Sequence, residues 1–205
     1  MQKSPPEPWL AVVFGASGFC ALVYQVVWQR ALFSIFGINI EAVAVVVTAF
    51  MLGLGAGSLL GGRLSRAGPR AALGRFAAIE AAIGGFGLVS LPLFATVGRA
   101  TLFWSPPAIA AVTLGLLLVP TLLMGATLPL LVHYLVCRSR DVGGSLGTLY
   151  FVNALGSALA SILAAVFLLG FLGRQGSVVL AAAGNLGVAL FVAWRARRAR
   201  EAAEA

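Results

Sequence analysis

Glu80 is the residue whose position most invites a chemical question. It lies inside a long apolar stretch, about nine residues and roughly 13 Å of helix from a start near Ala71, which places it near the middle of a hydrocarbon layer. An ionised carboxylate at that depth needs a cation or several hydrogen-bond donors, and without them it is held neutral. Two chemistries follow: Glu80 binds a proton or cation as a coupling site, or it bonds Asn153, Gln25 or another helix and ties the helices together. Other polar side chains interrupt apolar segments. Tyr24, Gln25, Gln29 and Arg30 end the first stretch, with Tyr24/Trp28 and Gln25/Gln29 paired at i, i+4 on helical faces. An interfacial aromatic belt accounts for Trp28 but not for the two glutamines. Tyr150 and Asn153 complete a candidate polar cavity with Glu80, Gln25 and Arg30, while Asn153 and Asn185 suit interhelical hydrogen bonds.

Soluble-type catalysis finds no footing in this inventory. The six acidic residues, Glu7, Glu41, Glu80, Asp141, Glu201 and Glu204, form no acid/base pair in sequence. No Ser/His/Asp order, Cys-x-x-Cys or His-Glu-x-x-His occurs, and His133, the single histidine, reads as interfacial. No metal site and no cofactor are expected. Cys20 and Cys137 stand far apart in apolar surroundings and predict neither a bridge nor a ligand pair. The stretch Gly53-Leu-Gly-Ala-Gly-Ser58 has no lysine and lacks nucleotide-loop spacing, so helix packing explains it better.

The elements that position these residues follow from composition. Of 205 residues, 60% are hydrophobic and 10% are charged, far below the ~25% of ordinary globular chains. Such a chain cannot cover a soluble surface with polar groups. Apolar runs predict six membrane spans, at Trp9–Gln29, Ile38–Leu60, Ala71–Val97, Ala108–Val136, Gly144–Leu169 and Val178–Trp194. The fold class is therefore all-α integral membrane. A cytoplasmic leader covers 1–8, the six-helix domain 9–194 and a charged tail 195–205; the first span reads as uncleaved.

Charge position supports the number six. Lys3, Arg63, Arg66, Arg70, Arg75, Arg138, Arg140, Arg195, Arg197, Arg198 and Arg200 fall on one side, which makes eleven of the 14 basic residues. Only Arg30, Arg99 and Arg174 fall on the other. Because Lys and Arg remain cytoplasmic during insertion, both termini are expected in the cytoplasm of a bacterial inner-membrane protein. The net charge of +8 then reports topology, and no nucleic-acid partner is expected.

Small residues and prolines suggest how the spans meet. Gly53, Gly57 and Gly61 repeat every fourth residue and form one face for close helix approach; Gly156, Ala160 and Ala164 do likewise. Pro92 interrupts the third span, and Pro120 and Pro129 the fourth, where kinks are expected. The carbonyls that these prolines free would be met by neighbours such as Thr121 and Thr127 or by water.

Ordered motifs carry a family resemblance. Ser17-Gly-Phe-Cys-Ala-Leu-Val-Tyr-Gln-Val-Val-Trp-Gln-Arg30 resembles the opening helix of the membrane domain in bacterial membrane-bound spermidine-synthase-like proteins. Phe50-Met-Leu-Gly-Leu-Gly-Ala-Gly-Ser58, Glu80, Pro120-Thr-Leu-Leu-Met-Gly-Ala-Thr-Leu-Pro129 and Gly147-Thr-Leu-Tyr-Phe-Val-Asn-Ala-Leu-Gly156 follow in the same order. The resemblance runs from about Trp9 to Trp194. Family members continue into a soluble aminopropyltransferase-like domain with a Gly-Gly-Gly-Asp-type loop, which does not occur in this sequence. The segment Gly61-Gly-Arg-Leu-Ser-Arg-Ala-Gly-Pro-Arg70 is similar to the loop between helices two and three of major-facilitator transporters, with Ser65 where an aspartate is usual. Six helices in two three-helix units resemble half of such a transporter.

The resemblance implies a non-catalytic membrane domain, an anchor or substrate conduit for a soluble aminopropyltransferase-like partner. A small transporter of cations or polyamine-like solutes, working as a homodimer in the lipid bilayer, is the alternative. A truncated remnant of a fused spermidine synthase is the third reading.

Overall fold

A computed structural model describes residues 8–36 and 40–204. The leader with Lys3 and Glu7 lies outside the described residues, as do the side chains of Glu41, Arg200 and Glu204. Six helices follow in order: α1 Pro8–Phe36, α2 Ile40–Ser65, α3 Pro69–Ala100, α4 Pro106–Ser139, α5 Val142–Leu163 and α6 Gly173–Glu204. A π-helical turn, Ala164–Leu168, and a short helical segment, Leu169–Phe171, carry α5 onward, so that its apolar span covers Val142–Phe171. All six are long and apolar enough to cross a membrane.

The helices outrun the apolar runs read from sequence, because capping chemistry rather than hydropathy sets their ends. α3 starts after Gly68, whose φ of 101° suits glycine, with Pro69 in the first turn where its missing N–H costs nothing. Pro106 and Pro107 open α4 in the same way. Arg140 closes α4 in the left-handed region at φ 56°. Asp141 then caps α5, its Oδ1 accepting the Gly144 N–H at 2.9 Å.

Pro92, Pro120 and Pro129 do not end their helices. Both α3 and α4 continue through them. Proline at 129 leaves the Gly125 carbonyl without its helical donor. That oxygen is approached by the Ser58 hydroxyl of α2 at 3.4 Å, whereas Thr127 bonds Met124 O within its own helix. The expectation that Thr127 would serve the freed carbonyl is corrected: an exposed serine on the neighbouring helix stands there.

Packing follows a repeated pattern. α2 lies along α4 and α1 along α5; α3 meets both α6 and α4, and α1 meets α6. These principal pairings are unchanged when α1, α2 and α3 are exchanged for α4, α5 and α6. Glycines make the closest of them possible. A Cβ on Gly53 would run into Thr121, one on Gly57 into the Leu122 backbone, and one on Gly61 into the Ala126 backbone, so this glycine face is used inside the chain. Gly156 stands equally close to the Gly15 backbone, and Gly18 to Asn153, in the related α1–α5 contact. Ala160 and Ala164 are buried, whereas Phe151, Leu155, Leu159 and Ile162 turn the outer face of α5 toward lipid.

Candidate functional site

A polar cluster inside the bundle is built on two helical faces. On α1, Ser17, Cys20, Tyr24 and Trp28 recur at i, i+3, i+7 and i+11; on α3, Glu80, Gly84, Gly87 and Ser90 do so at comparable spacing. All eight are buried, and the two faces meet each other and α6.

Glu80 is fully buried. Its Oε1 accepts the Ser17 hydroxyl at 2.5 Å, and its Oε2 accepts Asn185 Nδ2 at 2.5 Å. Three helices therefore meet on one carboxyl group. Of the expected partners, Asn153, Gln25 or another helix, the last is the one found: Asn153 lies on α5 against Gly18, and Gln25 is half-buried on α1. The reason is rotational. Ser17 and Tyr24 share the α1 face toward α3, while Gly15 and Gly18 share the face toward α5. Asn185 is an interhelical donor, as its residue type suggests, and its acceptor is Glu80.

Magnitudes decide what this cluster does for the fold. Interhelical hydrogen bonds in membrane proteins average about 0.6 kcal/mol, whereas an acidic side chain at mid-helix in hydrocarbon costs roughly 2.5–3.5 kcal/mol. The two bonds matter chiefly by removing that penalty, which makes the orientation of α1 and α6 around α3 specific. Two buried atoms have no hydrogen-bond partner among the described residues at this place, Tyr24 Oη and Asn185 Oδ1.

Trp28 corrects another expectation. It is not interfacial but wholly buried, with Nε1 donating to Ser90 Oγ at 2.9 Å, and Ser90 donating in turn to Gly87 O at 2.7 Å. Tyr24 stacks on it at 4.9 Å, and Phe86 and Phe94 meet it edge-on. Gly87 leaves the room that the Tyr24 ring fills. The end of α1 thus forms the aromatic core of the bundle.

The remaining candidates are dispersed. Gln29 is half-buried, Arg30 is exposed, and Tyr150 is 65% exposed on the outer side of α5. No hydrogen bond among the described residues joins Gln25, Gln29, Arg30, Tyr150 or Asn153 to Glu80. Ser17, Ser90 and Ser58 were not singled out from sequence. Extending the Tyr24 face back by two helical turns reaches Ser17, which is the one signal that could have found it. Among the described residues no three His, Cys, Asp or Glu side chains come together.

Charge gathers at one end. Arg63, Arg66, Arg70, Arg140 and Arg197 are exposed there, and the carboxylates described at that end are Asp141, engaged in capping, and Glu201. Arg195 stacks over Trp9, Arg198 over Trp194 and Arg138 over Tyr134, at 5.0, 4.6 and 5.3 Å. Arg75 reaches back to the Leu64 carbonyl and fastens the start of α3 to the end of α2.

Comparison with protein-family models, with curated proteins and with solved structures finds no match for this chain.

Proposed function

We propose that this chain is a non-catalytic membrane domain that anchors a soluble aminopropyltransferase-like partner, with its arginine-rich end and both termini on the cytoplasmic side of a bacterial inner membrane. The observation that carries the reading is the strongly basic end of the bundle, formed by the α2–α3 loop, the α4–α5 loop and the end of α6. The motif resemblance to membrane-bound spermidine-synthase-like proteins supplies the partner's class. The closed environment of Glu80 is in keeping with an anchor: both carboxylate oxygens are engaged in helix-to-helix bonds.

The test is co-purification from native membranes in gentle detergent. A soluble protein of aminopropyltransferase-like fold is expected with the tagged chain, and Arg63→Gln/Arg66→Gln/Arg70→Gln should reduce its recovery at least tenfold at low salt, because three charges are removed from the docking surface. Recovery of no such protein, or equal recovery by the triple variant, overturns the anchor.

A second reading, a transporter working as a homodimer, is favoured by one specific observation. Gln25, Gln29 and Asn153 are half-buried and Tyr150 is exposed, and no hydrogen bond is formed by these side chains among the described residues. Polar groups within a span call for a second protein surface or a water-lined cavity. In liposomes this reading predicts cation or polyamine flux that Glu80→Gln abolishes without lowering protein abundance. Equal flux by that variant removes Glu80 from the mechanism.

A further inference from the structure

The polar candidates that stand away from Glu80 share a seam of their own. On α1, Gly15, Gly18, Leu22, Gln25 and Gln29 follow at steps of three and four residues and so lie on one helical face. Gly15 and Gly18 press that face against α5, where they meet Val152 and Asn153. Tyr150 and Ser157 stand on the same side of α5 as Asn153, and the Ser157 hydroxyl donates to Gly18 O at 3.1 Å. Gln25, Gln29 and Asn153 are half-buried and Tyr150 is exposed, and none of the four forms a hydrogen bond among the described residues. Polar side chains inside a span are held by protein or face water, so this seam is unfinished in a single chain.

The helix beside it is the least covered of the six. Of the apolar window of α5, 11% is buried inside the bundle, against 28–50% in the other spans. Its exposed surface has two parts. Leu155, Leu159 and Ile162 are large and turn toward lipid. On the side where Tyr150 and Gln25 stand, Gly147, Ala154, Ala158 and Ser161 recur at steps of seven, four and three residues, all exposed, and a Cβ on Gly147 would meet nothing. Unpaired amides and small side chains thus share one side of the α1–α5 pair, and bulky apolar side chains occupy the other.

We propose that this side of the α1–α5 pair is the contact between two copies of the chain, related by a two-fold axis along the membrane normal. It deepens the homodimer reading given above and rests on that reading's second copy, not on transport. Such an axis sets each residue near it opposite its own counterpart at the same depth. An amide side chain carries both donor and acceptor, so Gln25, Gln29 and Asn153 of one copy can bond the same side chains of the other. Like charges would repel across the axis, and α1 from Pro8 to Gln29 and α5 from Val142 to Phe171 carry none. Small residues let the two backbones come close enough for these bonds. Each copy supplies half of a polar site that is incomplete alone.

Single-molecule photobleaching of the full chain in liposomes at low protein-to-lipid ratio tests it, with a fluorophore on Cys137, which is exposed on α4. Two-step bleaching is expected. Gln25→Leu/Gln29→Leu should lower the association constant about tenfold, at about threefold per interhelical hydrogen bond. Ala158→Trp, on the small-residue side, should also lower it, and Leu159→Trp, one position on and facing lipid, should not. Both of these positions are exposed, so the pair keeps the test open if the glutamine variant fails to fold. Single-step bleaching of the unaltered chain, unchanged association in either the glutamine variant or Ala158→Trp, or equal loss in Ala158→Trp and Leu159→Trp each overturns the proposal. Dimers without cation or polyamine flux support this surface and end the transport reading, whereas flux from chains that stay single overturns the surface and keeps transport.

Discussion

At the scale of single residues, Glu80 illustrates how a buried acid is made tolerable by two uncharged donors. Asn185→Leu removes the donor to Oε2 and should lower stability by about 1–3 kcal/mol, measured by thermal unfolding in detergent. Glu80→Gln should be much milder. A glutamine side chain retains the acceptor for Ser17, and its new N–H₂ can donate to Asn185 Oδ1, which has no hydrogen-bond partner among the described residues. If Glu80→Gln destabilises as much as Asn185→Leu, the cluster depends on the charge of Glu80 rather than on its shape. That Glu80 mattered was legible from depth and residue type. Its partners were not, because Ser17 is one small polar residue among many and the rotation of α1 is set by Gly15 and Gly18 against α5, a contact with no local signature.

At the scale of helices, glycine position rather than glycine number controls packing. Gly57→Leu would force α2 away from the Leu122 and Gly125 backbone, and overpacking of this kind costs about 1–3 kcal/mol. Gly55→Ala, two residues earlier and facing open space, should be neutral or raise stability by about 0.5–1 kcal/mol through helix propensity. Comparison of the two melting temperatures checks the assignment; equal effects would mean that α2 does not pack on α4 through this face. Here the sequence was informative: the four-residue glycine period announced a close approach. It did not name α4 as the partner, nor show that α3 and α4 run on through their prolines. Ser58 stands at the Gly125 carbonyl, where a neighbouring helix takes the place of the donor that Pro129 removes.

For the molecule as a whole, hydropathy and charge gave the number of spans and the end at which basic residues collect, because both properties act along the chain and need no knowledge of contacts. Which helices meet needed the structure. The two cysteines supply a test of topology without any substitution. Cys137 is exposed at the end of α4 on the arginine-rich side, and Cys20 is buried. A membrane-impermeant maleimide should label Cys137 in inverted vesicles and spare it in intact spheroplasts, with Cys20 unlabelled in both. Labelling of Cys137 from outside would reverse the proposed orientation.

The bond between Glu80 and Asn185 also has a consequence for biosynthesis. Its two ends are 105 residues apart, and they sit on α3 and α6. At about 5–20 residues per second, Glu80 emerges from the ribosome on the order of 5–20 s before Asn185 exists. During that interval Ser17 is the one of its two donors already made. The carboxyl thus marks, until α6 is made, whether the chain has acquired that helix, and nascent chains stalled before α6 carry an incompletely paired acid that the folded bundle hides.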